Sequence, residues 1–290
     1  MQSLNEFHNL IKVSYKIWSE KNPYLIGGSI AFYIIFSIAP LFVMVIMITG
    51  FVFGRQAAEG QIVEEIENIV GFEAAQIVQE IINKASTPPT RMITTIISVP
   101  MVILGSSMVF FQIRHALNLL WDLENQKANS AKEFFKDYFF SFMMVLIAGG
   151  VVFLLVLKTP LLYLLRDYLN DFLPVTGIYI RIIDALITFC IMVLLLGFLY
   201  KILPKTDIEW RDVWVGSFVT SLLFTAAVIL INLYVTSTGV DSAYGAIGAG
   251  TILLIWIYYS SLVFLFGAAF TKAYASNYGA ERTWKEEVSK

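Results

Sequence analysis

Five runs of this sequence contain no charged side chain and are about as long as a bilayer is thick: residues 23–54, 92–113, 138–157, 213–240 and 242–271. A sixth apolar run, 182–203, carries only Asp184 near its start and Lys201 near its end. The hydrocarbon core of a membrane is crossed by about 20 apolar residues in an α-helix. A helix suits that medium because it satisfies its own backbone N–H and C=O groups. Composition agrees, with 58% of residues hydrophobic and 14% charged, against about 25% charged in a soluble domain. The chain is therefore predicted to be an all-α polytopic membrane protein. Its six transmembrane helices are placed at 25–53, 92–113, 138–157, 182–203, 213–236 and 246–271. They make a single membrane domain over residues 1–290 and leave no room for a separate soluble one.

Residues 1–22 lack the apolar core and small-residue cleavage site of a signal peptide. Instead, "FHNLIKVSYKIW" sets Phe7, Leu10, Ile11, Ser14, Ile17 and Trp18 roughly on one face, with Lys12, Lys16 and Lys21 nearby. That pattern predicts an amphipathic helix in the membrane interface, its lysines among the lipid headgroups. Lys and Arg are retained on the cytoplasmic side of short loops. One set of flanks holds Lys12, Lys16, Lys21, Arg114, Lys127, Lys132, Lys136, Lys201, Lys205, Arg211, Lys272, Arg282, Lys285 and Lys290, fourteen in all; the other holds Arg55, Lys84, Arg91, Lys158, Arg166 and Arg181, six in all. Both termini are thus predicted to be cytoplasmic.

The largest outer segment, 55–91, reads "GQIVEEIENIVGFEAAQIVQEIINKAS" over much of its length. Its isoleucines and valines recur at helical spacing on either side of Gly71, which predicts an extracytoplasmic amphipathic helical hairpin. The glutamates of this segment read as its solvated face. After Lys158 the run "LKTPLLYLLRDYLNDFLP" keeps an apolar period, so the third helix is expected to continue beyond the lipid. Cys190, the one cysteine, permits no internal disulfide; it is expected to be buried as a small apolar group.

Catalytic constellations are not apparent. The two histidines, His8 and His115, lie in different segments, and there is no HExxH, CxxC, Gly-x-Ser-x-Gly or phosphate loop. Nor does a pair of carboxylates occur within a span, as activation of water by a metal or a tuned base would require. The expectation is no enzyme, no cofactor and no bound metal. No basic stripe with interleaved aromatics points to nucleic acid.

Polar residues inside the spans are the remaining candidates. Ser29, Tyr33 and Ser37 are four residues apart on one face of the first span, with Pro40 three further on. Pro40 has no N–H to give the Phe36 carbonyl, and in lipid a neighbour must satisfy such a group. The stripe therefore points into the bundle, either gluing helices together or lining a pathway. Asp184 is the only acid in a span, a functional candidate by position unless it simply reaches water or pairs with Arg181. Asn232 is interhelical glue or a ligand contact. "AYGAIGAG" places Tyr244, Gly245 and Gly248 where helix backbones can pack closely, and Trp256 lies deeper than an interfacial aromatic belt. "QIRHALNLLW" sets Arg114, Asn118 and Trp121 on one face, an inner headgroup contact or an ordinary helix anchor.

Taken in order, "SIAFYIIFSIAPLF", "FFQIRHALNLLW", "ILPKTDIEWRDVWVGS" and "AYGAIGAGTILLIWIYYSSLVFLFGAAF" resemble the YihY/BrkB family of bacterial inner-membrane proteins over nearly the whole chain. The resemblance carries over Tyr33, Ser37, Pro40, Asn118, Trp121, Pro204, Gly216, Tyr244, Gly245, Gly248, Trp256 and Gly267. One position departs: the family's last helix commonly reads Gly-Ala-Glu, and here the acid is replaced by Ala269. The family once bore a ribonuclease name and has been linked to serum resistance, as a virulence factor, and to envelope lipid export. What it implies for this chain is a transporter- or flippase-like protein that handles a lipid or amphiphile. The rivals are an envelope scaffold and, more remotely, a membrane-bound nuclease. The expected partners are membrane lipids, with a homo-oligomer left open.

Overall fold

The computed structural model describes residues 2–53, 59–60, 62–64, 67, 72–85, 92–123, 131–170, 177–206, 208–238 and 240–278. Its regular elements are helices, and no strand occurs among the described residues. In chain order they are α1 (Gln2–Glu20), α2 (Pro23–Phe53), α3 (Phe72–Ala85), α4 (Met92–Leu120), α5 (Ala131–Asn170), α6 (Gly177–Ile202), α7 (Trp210–Thr238) and α8 (Val240–Tyr278). Five contain a stretch long and apolar enough to cross a membrane: Pro23–Pro40, Tyr138–Leu155, Ile178–Ile202, Trp210–Ile231 and Gly250–Tyr278. The expected second span falls in α4, whose side chains before Leu104 lie outside the described residues. α3 supplies the second arm of the expected hairpin; Gly71 and most of the first arm lie outside the described residues.

The helices outrun the predicted spans. α4 ends at Leu120 instead of 113, α5 covers 131–170 instead of 138–157, and α8 covers 240–278 instead of 246–271. A helix stops where the backbone turns, not where hydrophobicity ends. Asn22 and Asp122 adopt left-handed φ values of 49° and 60°, a conformation that Asn and Asp tolerate better than most residues. At Asn22 the chain leaves α1 and starts α2 at once. The Asn22 carbonyl accepts from the N–H groups of Leu25 and Ile26, and Pro23 fills the first helical position, where no N–H is needed. At the end of α4 the Asp122 N–H bonds to the Leu119 carbonyl and the Leu123 N–H to the Asn118 carbonyl. This is the paired closure of a Schellman motif, with Asp in the place glycine usually takes.

α2 packs against α4, α5 and α8; α7 lies between α6 and α8; α1 crosses α8, where Leu10 meets Phe270 and Ala273. The principal core joins Ile30, Leu117, Val145, Leu199, Tyr200 and Leu265 from five of these helices. The outward faces are equally apolar. Leu222, Ile229, Leu230 and Leu233 of α7 are at least half exposed, a contiguous greasy surface that a water-soluble monomer rarely carries. Cys190 belongs to such a face and is exposed, correcting the expectation of burial. It continues the exposed series Ile182, Leu186 and Leu194 at helical spacing on α6.

α7 and α8 approach through two reciprocal glycine–threonine pairs. A Cβ on Gly216 would overlap the Thr271 hydroxyl and sit 2.8 Å from Thr271 Cβ. A Cβ on Gly267 would overlap the Thr220 hydroxyl and sit 2.6 Å from the Tyr200 hydroxyl. Each threonine donates to the carbonyl of the glycine one turn earlier on its own helix, Thr220 to Gly216 at 2.7 Å and Thr271 to Gly267 at 2.9 Å. Tyr200 of α6 donates to the Phe264 carbonyl at 2.8 Å and lies 3.3 Å from Thr220 Oγ1, joining a third helix to the contact. Gly267→Ala is expected to destabilise the folded protein by about 1–3 kcal/mol, the usual cost of overpacking. Adding Thr220→Ala should restore part of that loss. Thermal unfolding of the purified single and double variants in detergent checks both.

Candidate functional site

The predicted stripe on α2 is only partly bonded. Gln112 of α4 donates through Nε2 to Ser29 Oγ at 2.7 Å. Tyr33 is half-buried, with its ring edge-on to Phe32 at 5.7 Å. Ser37 is 2% exposed, and its hydroxyl has no hydrogen-bond partner among the described residues. Ser221 of α7, fully buried, is in the same position among the described residues. Ser14, Ser217 and Ser261, equally buried, each donate to the carbonyl four residues earlier. Close by on the same helix, Pro40 is seated against Gly105 of α4, where a Cβ would meet the proline ring at 2.8 Å. Buried Ser106 and Ser107 are adjacent on α4, and Ser141 of α5 is also buried. Tyr138 of α5 donates to the Leu104 carbonyl at 2.7 Å. One of these bonds thus ties α2 to α4 and another ties α5 to α4.

Asp184 does not pair with Arg181. Its carboxylate lies 3.0 Å from the ammonium of Lys158 on α5. Lys158 also donates to Thr188 Oγ1 at 2.8 Å, and Thr188 donates to the Asp184 carbonyl at 2.9 Å. Of the alternatives left open for Asp184, pairing with the base nearest in sequence is replaced by pairing with Lys158, which the packing of α5 on α6 brings closer. The signal for Lys158 was present: it is the one cation in the long apolar stretch 138–165.

At the other end of the bundle, several chain segments meet on one carboxylate. Asp122 accepts from Lys21, at the α1–α2 turn, and from Lys272 of α8 at 2.6 Å. Lys272 also donates to the Leu120 carbonyl at 3.0 Å. Asn118 accepts the Lys205 backbone N–H through Oδ1 at 2.9 Å, and Lys201 donates to the Ile208 carbonyl. Arg114 is 5% exposed, with its guanidinium 5.0 Å above the Phe140 ring; Trp121 packs half-buried on the principal core. The three residues of the expected headgroup face thus have separate surroundings within the protein. Trp256 is half-buried, and its indole N–H has no partner among the described residues. Asn232, Tyr244, Gly245 and Gly248 lie on helices, but their side chains fall outside the described residues. Ala269 is fully buried in the principal core. Among the described residues no group of three or more His, Cys, Asp or Glu is placed to hold a metal ion.

A bundle of long apolar helices, greasy outside and charged at its ends, defines an α-helical integral membrane protein. The family described as Virulence factor BrkB matches residues 14–290, and the chain belongs to that family. A UPF0761 membrane protein of Alteromonas mediterranea is 21% identical over 269 residues, 92% of this chain and 87% of that protein. Another, from Idiomarina loihiensis, is 26% identical over 205 residues; the match covers 67% of this chain and 65% of that relative, just under two thirds of its length. The UPF0761 membrane protein YihY of Salmonella newport is 28% identical over 172 residues, 59% of this chain and 56% of that protein. No solved structure matches the chain.

Hydrogen bonds from Lys21 and then Lys272 hold the Asp122 carboxyl below its ordinary value, against a smaller opposing effect of burial. A depressed carboxylate stabilises the fold above its unfolded-state pKa, and that contribution is lost as pH falls through the folded one. The Asp122 side chain is 61% exposed, so the contribution is small, about 1 kcal/mol or less. Asp122→Asn is expected to lower the melting temperature at neutral pH, with the two proteins converging as the medium is acidified below the usual carboxylate range. Melting curves in detergent across pH check this.

Proposed function

We propose that this protein moves a lipid or another amphiphile across or within the cytoplasmic membrane, without catalysing a covalent reaction. The observation that carries the reading is Ser37: a hydroxyl 2% exposed and without a partner among the described residues, close to a proline in a long apolar helix. A buried polar group with nothing to bond costs about 1–3 kcal/mol and calls for an explanation. A hydroxyl that accepts a passing polar headgroup supplies one. In this reading Ser29, Tyr33 and Ser37 form the polar side of the path. Pro40, against the Gly105 notch, gives α2 a place to bend. The proposed topology is six spans with α4 as the second and both termini cytoplasmic. The fourteen-to-six division of Lys and Arg supports it, as do the bonds that bring Lys21, Asp122, Lys205 and Lys272 to one end of the bundle.

A second reading, a non-catalytic envelope scaffold, draws on the Ser29–Gln112 bond, which is interhelical glue of the kind that holds a static bundle. Reconstitution decides between them. Purified protein in liposomes should scramble fluorescent phospholipid above empty vesicles. Ser37→Ala should slow the rate about fivefold, the equivalent of one neutral hydrogen bond of about 1 kcal/mol. Scrambling no faster than in empty vesicles, across several headgroups, would leave the scaffold. Cysteine labelling from either side of the membrane, in a Cys190→Ala background, should find residues 2 and 127 on the same side.

A further inference from the structure

We propose that the lipid-facing edge of the seam between α2 and α4 binds the glycerol ester region of a diacyl phospholipid, with Gln112 and Ser29 as its recognition residues. The purpose of this site rests on the transport reading, which it supplies with a class of lipid and a place of entry.

Gln112 and Ser29 bond to each other at the edge of the seam, not inside it. One turn to either side of Ser29, Leu25 and Phe32 are exposed; one turn to either side of Gln112, Met108 and His115 are exposed. The two bonded residues are themselves half-buried. Behind them Ile26 and Ile30 of α2 and Val109 and Ile113 of α4 belong to the principal core. Residues three and four apart are neighbours on a helix surface, so the pair stands between an outward apolar surface and a closed interior. Further along the seam Pro40 lies directly on Gly105.

The pair has hydrogen-bonding capacity to spare. Gln112 gives one Nε2 hydrogen to Ser29 Oγ at 2.7 Å. A glutamine amide has a second such hydrogen, and a serine hydroxyl has one of its own. Among the described residues neither of these two hydrogens has an acceptor. Ser29 does not turn its hydroxyl onto the carbonyl four residues earlier, as Ser14, Ser217 and Ser261 do. Hydrocarbon has no water to offer in place of a partner. Two adjacent donors at a lipid-facing edge therefore suit an acceptor that the lipid itself brings.

Depth selects which acceptor. Ser29 lies six residues into α2 from Pro23, and Gln112 eight residues before the end of α4 at Leu120. At 1.5 Å per residue these are about 9 Å and about 12 Å from the lysine-rich end of the bundle. The headgroup region is only about 5–8 Å deep on each side of a bilayer. The pair thus sits below the phosphates, where the ester carbonyls are the nearest polar atoms of a phospholipid. Carbonyls accept and do not donate, which matches the two donors. From there toward the midplane the edge is apolar: Phe32 and Phe36, with ring centroids 4.6 Å apart, and Met108 and Leu104 are exposed. That surface suits an acyl chain better than a second copy of this protein. Membrane helices associate through small residues that let backbones approach, and these flanking side chains are bulky.

Native mass spectrometry of the full chain tests the site. Purified protein is offered dioleoyl phosphatidylcholine and its diether counterpart in equal amounts. The two lipids share headgroup and chain length and differ in the ester carbonyls. Wild-type protein is expected to retain the diester about fivefold over the diether, the equivalent of one neutral hydrogen bond. Gln112→Met, similar in volume, and Ser29→Ala should each bring the ratio close to one. If Gln112→Met does not fold, the smaller change Ser29→Ala decides alone. Equal retention of the two lipids by the wild-type protein, or an unchanged preference in Ser29→Ala, overturns the site. A dimer without bound lipid that Gln112→Met splits into monomers overturns it in favour of a second copy. An ester preference that the variants lose, in a protein that scrambles nothing in liposomes, refutes the transport reading and keeps the site. Scrambling of both lipids at one rate, with equal retention, does the reverse.

Discussion

A polar atom inside a membrane has no water to fall back on, and this bundle is arranged around that constraint. Thr220 and Thr271 close their hydroxyls onto their own helices, which turns two polar side chains into smooth surface against Gly216 and Gly267. The close approach of α7 and α8 depends on this, since lipid offers no hydrophobic drive for helices to associate and tight packing must replace it. Tyr200 then donates its hydroxyl across the interface to the Phe264 carbonyl. Among the described residues the hydroxyls of Ser37 and Ser221 are left without such a partner.

The architecture was legible because it rests on a block signal. Uncharged runs of membrane length predict helices whatever their partners, and α2, α5, α6, α7 and α8 appear where those runs lie. Helix ends were less legible. Asn22 and Asp122 terminate helices by a backbone conformation that a hydrophobic pattern does not encode. Candidate polar residues on α2 were readable from spacing, but their partners were not. Gln112 sat unremarked in an otherwise apolar run, and Lys158 counted only as a flank because the apolar run was ended one residue before it. Pairing between helices depends on rotation and register, and a single sequence states neither. Cys190 shows the same limit: a position inside a span has no marked face until the neighbours of its helix are known.

The two ends of the molecule differ in kind. One gathers Lys21, Asp122, Lys205 and Lys272 with backbone carbonyls and amides, a set of contacts that ties loops to helix ends. The other buries a single lysine between two helices and exposes its acid. The first is centred on an exposed carboxylate whose ion pairs contribute little individually. The second holds a charge where burial is costly.

The Asp122 cluster has a consequence for how the protein is made. Lys21 precedes Asp122 by 101 residues and Lys272 follows it by 150. In the order of synthesis Lys21 is made before Asp122, and Lys272 only with α8. The second lysine of this carboxylate is added only with the last of four further helices. The same cap that ends α4 thus serves first as a seam between early helices and only later as the fastening for the last one. Insertion and final closure are separated in time by the order of residues along the chain.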